Sequence, residues 1–176
     1  MGSDAAWLKD LVREIPDYPR PGVSFKDITP LLADIKAFRY SVDALTDHFR
    51  GTAVDKVLGI EARGFIVAAP VAYRFGAGFV PVRKAGKLPW NVERQEYLLE
   101  YGSDVLEIHR DALVPGDHAL IIDDVLATGG TAGAAVRLVE GLGGEVVGAG
   151  FLIELTFLGG RGKLEGYDTV SLINYE

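Results

Sequence analysis

Two aspartates stand side by side at Asp123-Asp124, and Ala127-Thr128-Gly129-Gly130-Thr131 follows after Val125 and Leu126. Paired carboxylates accept hydrogen bonds from a diol and tolerate a hard cation such as Mg²⁺. Glycines let backbone N–H groups approach an anion closely, and a helix N-terminus adds its dipole and unpaired donors. Thr128 and Thr131 can add hydroxyl donors. The set suits a phosphate monoester beside a diol. The plainer alternative is a glycine-rich turn between strand and helix with two solvated aspartates. The stretch has neither the Gly-Lys-Ser/Thr of a Walker A loop nor Gly-x-Gly-x-x-Gly.

Cations recur at two other points. Arg63, in Glu61-Ala62-Arg63-Gly64, precedes an apolar helical stretch, where a cation opposes the helix dipole unless an anion sits there. Arg83, Lys84 and Lys87 stand beside Gly86 and Pro89, ahead of the polar residues 91–96. So long a connection without regular structure favours a mobile lid, although a solvated basic loop reads equally well. Phe25 and Lys26–Asp27 lie between prolines. An aromatic and a charged pair beside prolines suggest a binding loop, but residue chemistry alone favours an ordinary core aromatic and a surface ion pair.

These residues need elements to hold them. Apolar residues 119–122 read as a buried strand that ends before the aspartates, and residues 132–142 as the helix after the loop. The same order recurs at strand 56–60 and helix 65–75. Strands are also expected at 78–82, 145–155 (bulged near Gly148 and Gly150) and 168–173, with a hairpin in 97–109. Helices are expected at 4–15, capped by Ser3 or Asp4, and at 37–49, with a glycine-broken turn at 157–164. Strand–helix alternation argues an α/β fold with a mainly parallel, doubly wound sheet flanked by helices.

Length and composition bound the function. A chain of 176 residues, 48% hydrophobic, suits one domain with a sizeable core. A net charge of −7 argues against nucleic acid or an anionic membrane as a general partner. With 0 cysteines there is no disulfide or thiolate metal site. The N-terminal residues lack a signal-peptide pattern and no apolar run spans a membrane, so a cytoplasmic location is expected. The 3 histidines, His48, His109 and His118, are scattered and read as structural.

Asp123-Asp-Val-Leu-Ala-Thr-Gly-Gly-Thr131 resembles the phosphoribosyl-pyrophosphate motif of type I phosphoribosyltransferases, most closely the members that act on adenine. Phe25-Lys-Asp-Ile-Thr-Pro-Leu31, Arg83-Lys-Ala-Gly-Lys-Leu-Pro89 and Leu99-Glu-Tyr-Gly102 also match family elements. Glu61-Ala-Arg-Gly64 departs from the family's usual Asp-Ser-Arg-Gly but keeps the basic residue and glycine. The resemblance runs from Phe25 to the final Asn174-Tyr-Glu.

It implies a type I phosphoribosyltransferase fold, with residues 1–35 as a hood and base-pocket wall, 36–176 as the core, and a flexible catalytic loop. The implied reaction is adenine plus phosphoribosyl pyrophosphate giving AMP and pyrophosphate, with Mg²⁺, in a homodimer. Asp123 and Asp124 would bind the ribose, and Ala127, Thr128, Gly129, Gly130 and Thr131 the 5-phosphate. Arg63, Arg83, Lys84 and Lys87 would meet pyrophosphate. Ser24, Phe25, Lys26, Val125 and Glu100 would face the base: Phe25 stacking on it with Val125 opposite, and Glu100, protonated, on N7. A cis peptide is expected near Glu61–Ala62. A regulator that kept the fold but lost catalysis, or a transferase for another base such as xanthine, are the competing readings.

Overall fold

A computed structural model of the chain describes residues 5–98 and 102–176. Its centre is β7 (His118–Leu126), flanked by β3 (Lys56–Ile60) and β8 (Glu145–Leu155), all parallel. The sheet extends outward to β4 (Gly78–Lys84) on the β3 side and to β9 (Thr169–Tyr175) on the β8 side, both also parallel. Beyond β4 it turns antiparallel, through β6 (Ser103–His109) to the edge strand β5 (Val92–Leu98). The order is β5-β6-β4-β3-β7-β8-β9. A separate antiparallel pair, β1 (Arg13–Ile15) with β2 (Phe25–Asp27), lies near the N-terminus.

Helices α2 (Ile35–His48) and α3 (Gly64–Phe75) share one hydrophobic core, and α4 (Gly130–Gly141) belongs to another. Strand periodicity serves both. Leu120 and Ile122 of β7 join the α2/α3 core, whereas Ala119 and Ile121 join the α4 core. Leu120, Ile121 and Ile122 are fully buried, each burial contributing about 1.5–3 kcal/mol. Helix α2 begins two residues before the expected position because Asp34 caps it, accepting from the Lys36 and Ala37 amides at 2.9 Å each. The short α1 (Thr29–Ala33) precedes it. The expected irregularity in β8 is present: its pairing with β7 shifts between Ala119 and Leu120.

Three expectations are corrected. Residues 4–15 do not form one helix. A 3₁₀ helix covers Ala6–Leu11, after which Arg13–Ile15 is strand. Ile15 precedes Pro16, which disfavours helical backbone, and it pairs instead with Phe25. Ser3 and Asp4, the expected caps, lie outside the described residues.

Residues 84–96 are not one structureless connection. Val92–Leu98 pairs residue for residue with β6, leaving only 85–91 irregular. The charges at Glu93, Arg94 and Glu96 belong to an edge strand, where they discourage pairing with other chains.

The central strand does not stop before the aspartates. It runs to Leu126 and carries Asp123 and Asp124 within it. Pairing with β3 ends at Gly59–Ile122, but pairing with β8 continues to Leu126–Glu154. The carboxylates stand where β3 has already turned away.

Candidate active site

From β3 the chain crosses through α3 to β4 on one side, and from β7 through α4 to β8 on the other. The β3–β7 boundary is therefore a switch point, where open α/β sheets leave a crevice at their strand C-termini. The loops after β3 and β7 frame that crevice.

The loop after β7 bends at Ala127–Gly129 and enters α4 at Gly130, with Gly129 at φ +74°. A Cβ on Gly129 would lie 2.3 Å from the Gly160 carbonyl oxygen, and one on Gly160 would lie 2.0 Å from that of Ala127. Two backbones thus touch here with no room for side chains. The 3₁₀ turn Gly160–Leu164 supports the loop from behind, a role that only spatial proximity reveals. The first amides of α4 lack helical acceptors, as at any helix start, and together with Thr128 and Thr131 they can hold a phosphate.

Asp123 and Asp124 are only 8% and 7% exposed, so they are not solvated aspartates. Asp123 Oδ1 accepts from the Asp124 amide at 2.8 Å. A Cβ on Gly64 would come within 2.6 Å of that oxygen, so this glycine is what lets α3 start against the aspartate. Burial, and then the neighbouring Asp124 charge, push the Asp123 carboxyl well above its ordinary range, with Arg63 pulling the other way.

Arg63, at the N-cap of α3, answers its unfavourable dipole position with an anion of the protein's own. Its Nε lies 2.6 Å from Asp124 Oδ2, although no hydrogen bond is aligned on that oxygen. The Arg63 guanidinium also sits 4.8 Å from the centre of the Phe25 ring. The Glu61–Ala62 peptide is cis, as expected.

Glu61 gathers the cations of β4 and the following turn. Its carboxylate accepts from Arg83 Nε at 3.1 Å and the Lys84 amide at 3.0 Å, and pairs closely with Lys87. Burial alone would push the Glu61 carboxyl up, but the Lys87, Lys84 and Arg83 hydrogen bonds hold it below its ordinary value. The Lys84 ammonium pairs with Asp104 Oδ2 at 2.9 Å.

On the other side of Arg63, Phe25 is half-buried on β2 and meets Tyr18 edge-to-face at 5.1 Å. It is not a core residue, and Tyr18 is a neighbour that the prolines between them conceal in the sequence. Lys26 and Asp27 do not form a surface pair. Lys26 binds Glu14 at 2.6 Å and reaches Ser24 Oγ at 3.3 Å. Asp27 is buried and accepts from the Thr29 amide and hydroxyl, both at 2.9 Å. The Lys26 carbonyl lies 3.5 Å from Arg63 Nη1. Val125 is partly buried against the α2/α3 core. Glu100, with Leu99 and Tyr101, lies outside the described residues.

A cavity of ≈ 980 Å³ lies elsewhere, between α2 and the β9 edge, and includes Lys9, Lys36, Arg39 and Tyr40. Asp43 and Asp47 also line it, Arg39 is already paired with Asp43 at 3.6 Å, and no glycine is among its lining residues, so the crevice at the switch point is the better candidate. Among the described residues no cluster of three or more His, Asp or Glu side chains forms a metal cage. His48 and His118 pair with Asp168 and Asp55, each at 2.9 Å.

Comparison with known proteins agrees with this geometry. Residues 25–171 match the phosphoribosyl transferase domain family. The adenine phosphoribosyltransferase of Solibacter usitatus is 59% identical over 169 residues, covering 96% of this chain and 98% of that protein. The crystal structure of the Thermoanaerobacter pseudethanolicus enzyme superposes with a TM-score of 0.93 at 56% identity, covering 96% and 98% of the two chains. That of the Saccharomyces cerevisiae enzyme, in complex with an imino-altritol bisphosphate and adenine, gives 0.90 at 39% identity, covering 98% and 99%. A chain matched nearly end to end by such enzymes, with an acidic strand end and phosphate-sized loop at its switch point, belongs to the adenine phosphoribosyltransferases of the type I phosphoribosyltransferase family.

Proposed function

We propose that the switch-point crevice is where the chain carries out its family's reaction, transfer of the 5-phosphoribosyl group from phosphoribosyl pyrophosphate to N9 of adenine. The products are AMP and pyrophosphate, and the process is purine salvage. The observation that carries the assignment is the buried Asp123–Asp124 pair beside the Gly129–Gly160 backbone contact. It sets diol acceptors next to a phosphate-sized loop.

In this reading Asp123 and Asp124 accept from the ribose hydroxyls, and Ala127, Thr128, Gly129, Gly130 and Thr131 hold the 5-phosphate. Substitution at ribose C1 passes through a cationic, oxocarbenium-like transition state, so positioning and charge neutralisation dominate. Arg63, Arg83, Lys84 and Lys87 neutralise the departing pyrophosphate, exchanging Asp124, Asp104 and Glu61 for substrate oxygens. Phe25, whose ring the Arg63 guanidinium overlies at 4.8 Å, stacks on adenine, with the Ser24 and Lys26 main chain and Val125 completing the wall. Glu100 would hydrogen-bond N7 as the N9 proton leaves. The turn at 85–91 closes over the site and excludes water.

Mg²⁺ fits this site. Asp123 and Asp124 put hard oxygens at the cleft, but Asp124 Oδ2, which has no aligned hydrogen bond, is ion-paired with Arg63 at 2.6 Å, so the ion would be held mainly by substrate oxygens and water. When bound with substrate oxygens, the ion neutralises pyrophosphate charge. We further propose a homodimer, through the exposed apolar side chains Ile66, Tyr73 and Phe79 of α3 and β4. Residues 1–35 would act as the hood over a single catalytic domain. A cytoplasmic location accords with the 0 cysteines.

The test is pyrophosphate release measured with adenine, hypoxanthine, guanine and xanthine. Adenine pairs a donor amine with an acceptor N1, the reverse of the 6-oxopurine pattern, and such a mismatch costs roughly 10⁴-fold. Adenine alone should support turnover. Comparable turnover of hypoxanthine would overturn the base assignment.

A further inference from the structure

Lys84 does not stand free beside the cleft. Its ammonium rests on Asp104 Oδ2 at 2.9 Å. Asp104 has two more donors: its Oδ1 accepts from the Val105 amide at 2.8 Å, and Tyr97 OH approaches Oδ2 at 3.3 Å. The Tyr97 side chain is buried. One chain of polar groups therefore runs from Tyr97 through Asp104 to the lysine.

A lysine that meets pyrophosphate must first leave Asp104. The carboxylate it leaves keeps the Val105 amide on one oxygen and the Tyr97 hydroxyl on the other. Without the hydroxyl, separation would expose a less satisfied charge and cost more. We propose that Asp104 is a positioning residue that competes with pyrophosphate for Lys84, and that Tyr97 sets how readily Asp104 releases it. This rests on the assignment of Lys84 to the pyrophosphate subsite. Its consequence is a restrained affinity for the leaving pyrophosphate, which favours product release.

The two partners act with opposite sign, which a merely structural role would not produce. Asp104→Asn frees Lys84 and should tighten magnesium pyrophosphate binding about threefold to fivefold, the upper range for a partly exposed ion pair. Tyr97→Phe should weaken it by a similar factor, about threefold. Ribose 5-phosphate binding should change by less than about twofold in Asp104→Asn, since that residue does not touch the phosphate loop.

The experiment is calorimetric titration of magnesium pyrophosphate and of ribose 5-phosphate into the wild type, both variants, Lys84→Met and Lys84→Met/Asp104→Asn, each with a thermal melt. Lys84→Met should weaken pyrophosphate about tenfold, and Asp104→Asn should add less than about twofold on that background. Weakening in both single variants, no effect in either, or tightening by Asp104→Asn that persists without Lys84 would overturn the proposal. Wild-type pyrophosphate affinity in Lys84→Met would instead remove the subsite assignment, and the proposal with it.

Discussion

Asp123 works against the fold it belongs to, and Asp123→Asn should expose that conflict. The carboxyl is buried beside Asp124, and its titration is raised by burial first and by the Asp124 charge second. A carboxyl whose folded pKa lies above its unfolded value of about 3.9 contributes fully to stability below that pH, and the contribution is lost as pH rises through the folded pKa. Ionised Asp123 is therefore destabilising at neutral pH. Asparagine removes the charge but keeps an oxygen for the Asp124 amide, the bond now 2.8 Å long. Each unit of elevation corresponds to about 1.4 kcal/mol, and about 1 kcal/mol moves the melting temperature of a chain this size by roughly 2–4 °C. The variant should melt about 3 °C or more above wild type at pH 7.5, with the difference vanishing near pH 4. The same change removes the charged acceptor proposed for a ribose hydroxyl, so kcat/KM for phosphoribosyl pyrophosphate should fall about 10-fold or more. Calorimetric melts across pH, with steady-state kinetics at pH 7.5, measure both effects. An unchanged or lower melting temperature at pH 7.5, or an equal gain at pH 4, would refute the electrostatic reasoning. Undiminished kinetics would refute the ribose assignment.

Gly129→Ala would set a methyl group against the Gly160 carbonyl at a positive φ, and should lower stability by about 2 kcal/mol or more and weaken ribose 5-phosphate binding. Denaturant unfolding and calorimetry read these separately; a wild-type result in both would show that the close backbone contact is dispensable. Chelation of divalent ions should abolish turnover, checked by pyrophosphate release with and without excess EDTA and restored by Mg²⁺. Hydrogen exchange in residues 85–91 should slow when phosphoribosyl pyrophosphate and an adenine analogue bind, while paired β5 changes less. Equal exchange in both states would argue against closure. Glu100→Leu should lose turnover on adenine without gaining 6-oxopurines, a comparison of kcat/KM values that an active variant would overturn.

Much of the cleft is local in sequence and was legible there. Asp123, Asp124 and Ala127–Thr131 are one continuous stretch, and the order of strand, acid pair, glycines and helix follows from hydrophobic run length and turn chemistry. Arg63 was legible as an electrostatic misfit at a helix start. What the tertiary structure alone decided concerns partners distant in the chain. That β7 continues through the aspartates depends on β8 running beside it after β3 has ended, and this makes the pair buried rather than solvated. That residues 92–98 are strand rather than loop depends on β6, because a charged segment reads as solvent-exposed until an edge needs it. The Arg63–Asp124 and Lys87–Glu61 pairs join residues 61 and 26 positions apart, and the Gly160 support for the phosphate loop leaves no side-chain pattern at all. Local chemistry names the groups. Only the sheet order, which brings the ends of β3 and β7 together, determines which of them meet and which carboxylates hold the cations.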